Sequence, residues 1–140
     1  MKKWTFLLAL LIIACASGGK DDSPVTVRIA NVNVIGDLRF AGPISTRFRV
    51  EVTNPSSEPV TLRKVEIHTA GPVAFSIRVT TPFTRVVGAG ETIEVELNGT
   101  GTSAGGRLAD QEPVTLRGTA DFDSAHGAFV KLFGDTVALR

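Results

Sequence analysis

The stretch Thr46-Arg-Phe-Arg-Val-Glu-Val-Thr-Asn-Pro-Ser-Ser-Glu-Pro-Val-Thr-Leu-Arg-Lys-Val-Glu-Ile-His-Thr69 decides how the chain is read. In its first arm Phe48, Val50 and Val52 alternate with Arg47, Arg49, Glu51 and Thr53. A period of two puts apolar side chains on one face of a strand and charges on the other. The link from Asn54 to Pro59 is made of turn residues, and each proline removes a ladder donor, so pairing stops there. In the second arm Val60 and Leu62 share one parity while Val65 and Ile67 have the other. The switch at Arg63-Lys64 predicts a β-bulge that keeps both halves facing the core. The stretch is therefore expected to be a hairpin, the central strand pair of the domain.

Upstream of the hairpin, Val25 to Ile35 is the first predicted strand, with a second parity switch near Ala30-Asn31. Leu38 to Ser45 is expected to be a loop broken by Gly42-Pro43. Downstream, Val73 to Thr80 carries Val73, Phe75, Ile77 and Val79 inward, and Phe83 to Val87 reads as a short edge strand after Thr81-Pro82. Gly88-Ala-Gly90 supplies a tight turn, and Glu91 to Leu97 alternates again. Asn98 to Gly106, rich in Gly, Thr and Ser, is expected to be a surface loop. Pro113–Phe122 and Ala128–Leu139 are the last two strands, joined by a turn over Asp123–Gly127. No segment carries a helical period. About seven short strands with regular turn signals predict an all-β domain, a single immunoglobulin-like antiparallel β-sandwich preceded by a signal peptide.

The first fourteen residues stand apart. Lys2 and Lys3 precede an apolar run from Trp4 to Ala14, interrupted only by Thr5. The run is well short of the roughly 20 residues a spanning helix needs, so it reads as the apolar region of a signal peptide. Ile12-Ile-Ala-Cys15 resembles the bacterial lipobox, which implies acylation of Cys15, the sole cysteine of the chain. One cysteine cannot close an internal disulfide. Ala14-Cys-Ala16 also fits the small-x-small pattern of ordinary signal cleavage, which would remove Cys15. The expected organisation is residues 1–14 as signal peptide, 15–23 as acylated cysteine and flexible tether, and 24–140 as the β-domain. Ala16 after the cysteine implies, by the same resemblance, the periplasmic face of an outer membrane where one exists.

Loss of Lys2 and Lys3 takes the 15 basic residues to 13 against 14 acidic ones, a formal charge of −1. Such a balance excludes electrostatic capture of nucleic acid as a main activity.

Asn54-Pro55, with an alternating strand before it and Pro59-Val-Thr-Leu62 after it, resembles the LEA-2 group of late embryogenesis abundant proteins with the water stress and hypersensitive response (WHy) domain. Gly88-Ala-Gly-Glu-Thr-Ile93 and the closing strands, Val114–Thr119 and Gly127–Phe133, also resemble that family's pattern. The resemblance implies a non-catalytic module linked to desiccation or envelope stress. Its partners would be client proteins or a membrane; the alternative expectation is a structural subunit that pairs with another envelope protein by a strand edge or loops.

Few residues carry candidate chemistry. Asp121, Asp123, Ser124 and His126 cluster in sequence and form a candidate metal site or partial catalytic triad, although the same residue types are what a hairpin turn requires. His68 has outward parity and reads as a solvated surface histidine. Glu91, Glu94 and Glu96 form an acidic strip that Arg47, Arg49 and Arg63 could answer across strands. Asn98-Gly-Thr100 matches the glycosylation pattern but reads as a turn. No catalytic residue, metal or cofactor is expected. The working surface is placed on a sheet face or on the loops Leu38–Ser45 and Asn98–Asp110.

Overall fold

The alternation in the sequence becomes seven long strands. The structure, a computed structural model, describes residues 23–71, 73–106 and 112–138. In chain order the strands are β1 (Thr26–Ile35), β2 (Ala41–Thr53), β3 (Val60–Ala70), β4 (Phe75–Val87), β5 (Thr92–Ala104), β6 (Pro113–Ser124) and β7 (Gly127–Ala138). Along β2 the side chains of Ile44, Thr46, Phe48, Val50 and Val52 are buried while Ser45, Arg47 and Arg49 between them are exposed. The same alternation in β3 to β6 brings Leu62, Ile67, Phe75, Ile77, Leu97, Leu116 and Phe122 into one core. Truncating a fully buried phenylalanine such as Phe48 to alanine typically costs about 3–5 kcal/mol.

All seven strands belong to one hydrogen-bonded sheet in the order β1-β2-β5-β4-β3-β6-β7, every pairing antiparallel. This corrects the expectation of two separate sheets. The join is the ladder between β4 and β5, which holds only Phe75–Arg78 against Thr100–Ser103. Nearer the turn that connects them the two strands diverge: β4 continues against β3 and β5 against β2. The sheet curls about this line until its outer strands, β1 and β7, come close to each other.

The curl explains the glycine-rich segment. A Cβ on Gly101 would lie 2.5 Å from the Ser76 carbonyl oxygen, and one on Gly99 would lie 2.7 Å from Val79 Cβ. Glycine at these positions lets β4 lie against β5. Residues 98–104 are thus strand, not the expected loop, and pair with β2 along their length. The expected loop at Leu38–Ser45 shortens for the same reason, since Ala41 to Ser45 pair with Thr100 to Ala104. Phe83–Val87 is not a separate edge strand but the second half of β4, where Pro82 is tolerated because β5 has moved away.

The largest correction concerns Thr46–Thr69. β2 lies between β1 and β5, and β3 lies between β4 and β6, so the two arms are not a hairpin. The link carries the chain across the fold instead. The parity switches, by contrast, are real: the register shifts between Leu62 and Lys64 in β3 and between Ile29 and Asn31 in β1.

Candidate functional site

One end of the sheet gathers the start of the described chain at Ser23, the link 54–59, the turn 88–91 and the β6–β7 turn. Asn54 organises it. Its side chain is fully buried, and its amide nitrogen donates toward the carbonyls of Glu58 (2.8 Å), Val87 (3.1 Å) and Gly88 (3.1 Å). Its Oδ1 accepts from the Ser56 hydroxyl (2.6 Å) and the Ser56 amide (3.2 Å). Its backbone amide donates to the Glu91 carbonyl (2.9 Å). Pro55 and Pro59 bring no amide donor to the link, so this asparagine ties it both to itself and to the β4–β5 turn.

Beside the link lies an open groove of about 860 Å³, lined in part by Pro24, Pro59, Val60, Ala128 and Phe129. Phe129 stacks on the buried Phe122 with centroids 5.1 Å apart. On the rim, His126 Nε2 sits 3.1 Å from a Glu58 carboxylate oxygen, joining the link to the β6–β7 turn. The Lys131 ammonium donates to the Ser23 carbonyl and holds the segment just before β1 against β7.

The candidate metal ligands do not converge. Asp121 is engaged by Lys64 at 2.9 Å, Asp123 by Arg63 at 2.6 Å, and His126 by Glu58. Each is held by a different residue, and among the described residues no group of three His, Cys, Asp or Glu side chains could share a metal. Ser124 closes the turn by donating to the Gly127 carbonyl (2.9 Å) and accepting from the His126 amide (3.2 Å). Cys15 lies outside the described residues, as do the signal segment and most of the tether.

The acidic strip divides. Arg47 pairs with Glu96 (3.3 Å) and Arg49 with Glu94 (3.7 Å), both on the outer face of β2 and β5, while Arg63 goes to Asp123. Glu91 instead accepts from the Gly88 amide at 2.5 Å and closes its own turn. On the same outer face Arg28 binds Glu51, and its hydrogen bonds hold that carboxyl below its ordinary range. Asn98 is exposed on β5, where its Oδ1 accepts from Arg47 (3.2 Å). His68 is not solvated as expected; it is half-buried, and its Nδ1 is enclosed without a partner.

Chemically, this end offers a groove of mixed lining, with proline, valine and phenylalanine side chains beside four serines and one acid–histidine pair on its rim. Sequence reasoning missed both Asn54 and the groove. The Asn-Pro dipeptide was the available signal for the first, but two of its three carbonyl acceptors lie more than thirty residues away.

No family model matches the chain, and no curated protein matches it. Solved structures do. The chain is similar to a protein assigned as ApaA from Bordetella pertussis, at 16% identity over 84% of this chain and 94% of that one, with a TM-score of 0.58. It is also similar to a protein of Arabidopsis thaliana solved in solution, at 13% identity over 88% and 89% of the two chains, with a TM-score of 0.56. A protein assigned to the late embryogenesis abundant group matches at 11% identity over 81% of this chain and 68% of that one, with a TM-score of 0.43, too low to carry more than the observation. At such identities the first two likenesses speak for the fold alone, that of a small all-β domain.

Proposed function

We propose that the protein is an exported lipoprotein, anchored to the cell envelope through acyl chains on Cys15, whose β-domain is a non-catalytic binding or protective module. The observation that carries this reading is the order of features at the N-terminus: Lys2-Lys3, the apolar run to Ala14, the sole cysteine, then a polar tether reaching Ser23. On this reading the end bearing Asn54 and the groove lies nearest the bilayer, because Ser23 lines that groove. The opposite end, with the β1–β2 and β3–β4 connections, is turned outward.

The curled sheet reads as an immunoglobulin-like sandwich joined at one corner, with β1-β2-β5 as one layer and β4-β3-β6-β7 as the other. The divergence of β4 from β5 beyond Arg78 supports that reading. The stress-protective role rests on the LEA-2 resemblance around Asn54-Pro55 and Gly88–Ile93. In the test, a labile enzyme is dried with and without the purified protein. Retained activity at a substoichiometric ratio supports protection, and loss equal to that with an inert protein removes it.

A second reading, a subunit that pairs with another envelope protein by its strand edge, is favoured by β7. There Leu132 is 78% and Val130 48% exposed, beside an edge that no strand of the described residues pairs by hydrogen bonds. Its signature is one stoichiometric partner after crosslinking in native membranes. A monodisperse monomer counts against it.

A further inference from the structure

His68 stands in a row that the other strand faces avoid. Its cross-strand neighbours are Arg78 on β4 and Arg117 on β6. All three share the outer face, since Ile67, Ile77 and Leu116 beside them are buried. The two arginines are two strands apart, so their like charges face each other across the ring of His68. Elsewhere on the described strands Arg28, Arg47, Arg49, Arg63 and Lys64 each meet a carboxylate within 4 Å, whereas Arg85 on β4 does not. Arg78 and Arg117 have no such partner among the described residues. The nearest acid on their face by register is Glu66, one row away between Thr80 and Thr119, and its field acts on Lys64. The enclosed, unpartnered Nδ1 of His68 is a second sign of an incomplete arrangement, because a buried polar nitrogen without a partner carries a desolvation cost.

We propose that the Arg78–His68–Arg117 row on the outer face of β4, β3 and β6 is a binding site for a phosphoryl oxyanion, free or as a phosphate ester. Neighbouring strands lie about 4.8 Å apart, so the two arginines are rooted about 10 Å apart across His68. Their side chains can bend inward so that both guanidinium forks meet one tetrahedral anion, a geometry in which arginine is strong and specific. The anion offsets the repulsion along the row. The Thr80 and Thr119 hydroxyls border it and can donate to the remaining oxygens. The site is separate from the groove at the Asn54 end and does not depend on the proposed envelope role.

The test uses the full chain purified in detergent, titrated with inorganic phosphate and, separately, with glycerophosphoglycerol, a deacylated lipid headgroup, while the arginine Nε–Hε and His68 ring resonances are followed. Expected are saturable shifts that weaken about tenfold or more in Arg78→Gln and Arg117→Gln. They persist in Arg85→Gln, which removes the same charge from β4 outside the row. Tighter binding of inorganic phosphate identifies a free phosphate as ligand; equal or tighter binding of the headgroup identifies a lipid. Thermal unfolding gives an independent reading: phosphate raises the Tm of the wild type but not of Arg78→Gln. Shifts that never saturate, or that Arg85→Gln weakens as much as the row variants do, overturn the proposal.

Discussion

Asn54 shows how much structure one side chain can hold. Three carbonyls face its amide, one from its own link and two from the β4–β5 turn. An alanine there leaves buried acceptors without donors, so Asn54→Ala is expected to cost about 3 kcal/mol. Urea unfolding should show this as a lower midpoint at unchanged slope. That the chain breaks at Asn54-Pro55 was legible, because proline ends a ladder in any context. That the asparagine pins a second turn was not, because a hydrogen-bond partner distant in sequence leaves no local pattern. Asp37 illustrates the opposite case, a wholly local effect. The Arg39 guanidinium and backbone amide hydrogen-bond its carboxylate and lower its pKa to about 2. A carboxyl depressed in the folded state contributes stability that is complete above its ordinary value near 3.8 and is lost as pH falls through about 2. A carboxyl-detected NMR titration should place the Asp37 midpoint near 2, and Arg39→Gln should move it up toward the ordinary range.

Among the elements, strand faces were legible and strand neighbours were not. Alternation states which side chains point inward, and the parity switches at Arg63-Lys64 and Ala30-Asn31 located both bulges. Alternation says nothing about which strand lies alongside, so consecutive β2 and β3 read as a hairpin although β5 and β4 lie between them in the sheet. Composition also misled at residues 98–104, where Gly, Thr and Ser suggested a loop. There glycine answers the close approach of Ser76 and Val79 rather than a need for flexibility. Gly101→Val is the matching prediction: its side chain collides with the Ser76 carbonyl, so the β4–β5 ladder should open. Hydrogen exchange would report this as lost protection at Thr100 and Thr102, which face Arg78 and Ser76 across that ladder, before global unfolding. Unchanged protection in a folded variant would mean that close packing there does not join the sheet.

At the scale of the whole molecule, one curled sheet encloses one core, and its two ends differ. Ser23, the groove and the Asn54 network share one end; the β1–β2 and β3–β4 connections share the other. The all-β class was legible because seven alternating segments admit few architectures. The curl was not, since it depends on where one ladder stops. The candidate metal cluster was legible only as proximity in sequence; its aspartates pair with Arg63 and Lys64 on β3 and its histidine with Glu58 in the link, so each is held by its own partner. The proposal that acyl chains on Cys15 anchor the domain to the cell envelope is tested most directly by metabolic labelling with a fatty acid. Wild-type protein should incorporate label and fractionate with membranes, whereas Cys15→Ala should take up none and leave the membrane fraction. Unlabelled wild-type protein, or a Cys15→Ala variant that stays with the membranes as the wild type does, would contradict the lipid anchor.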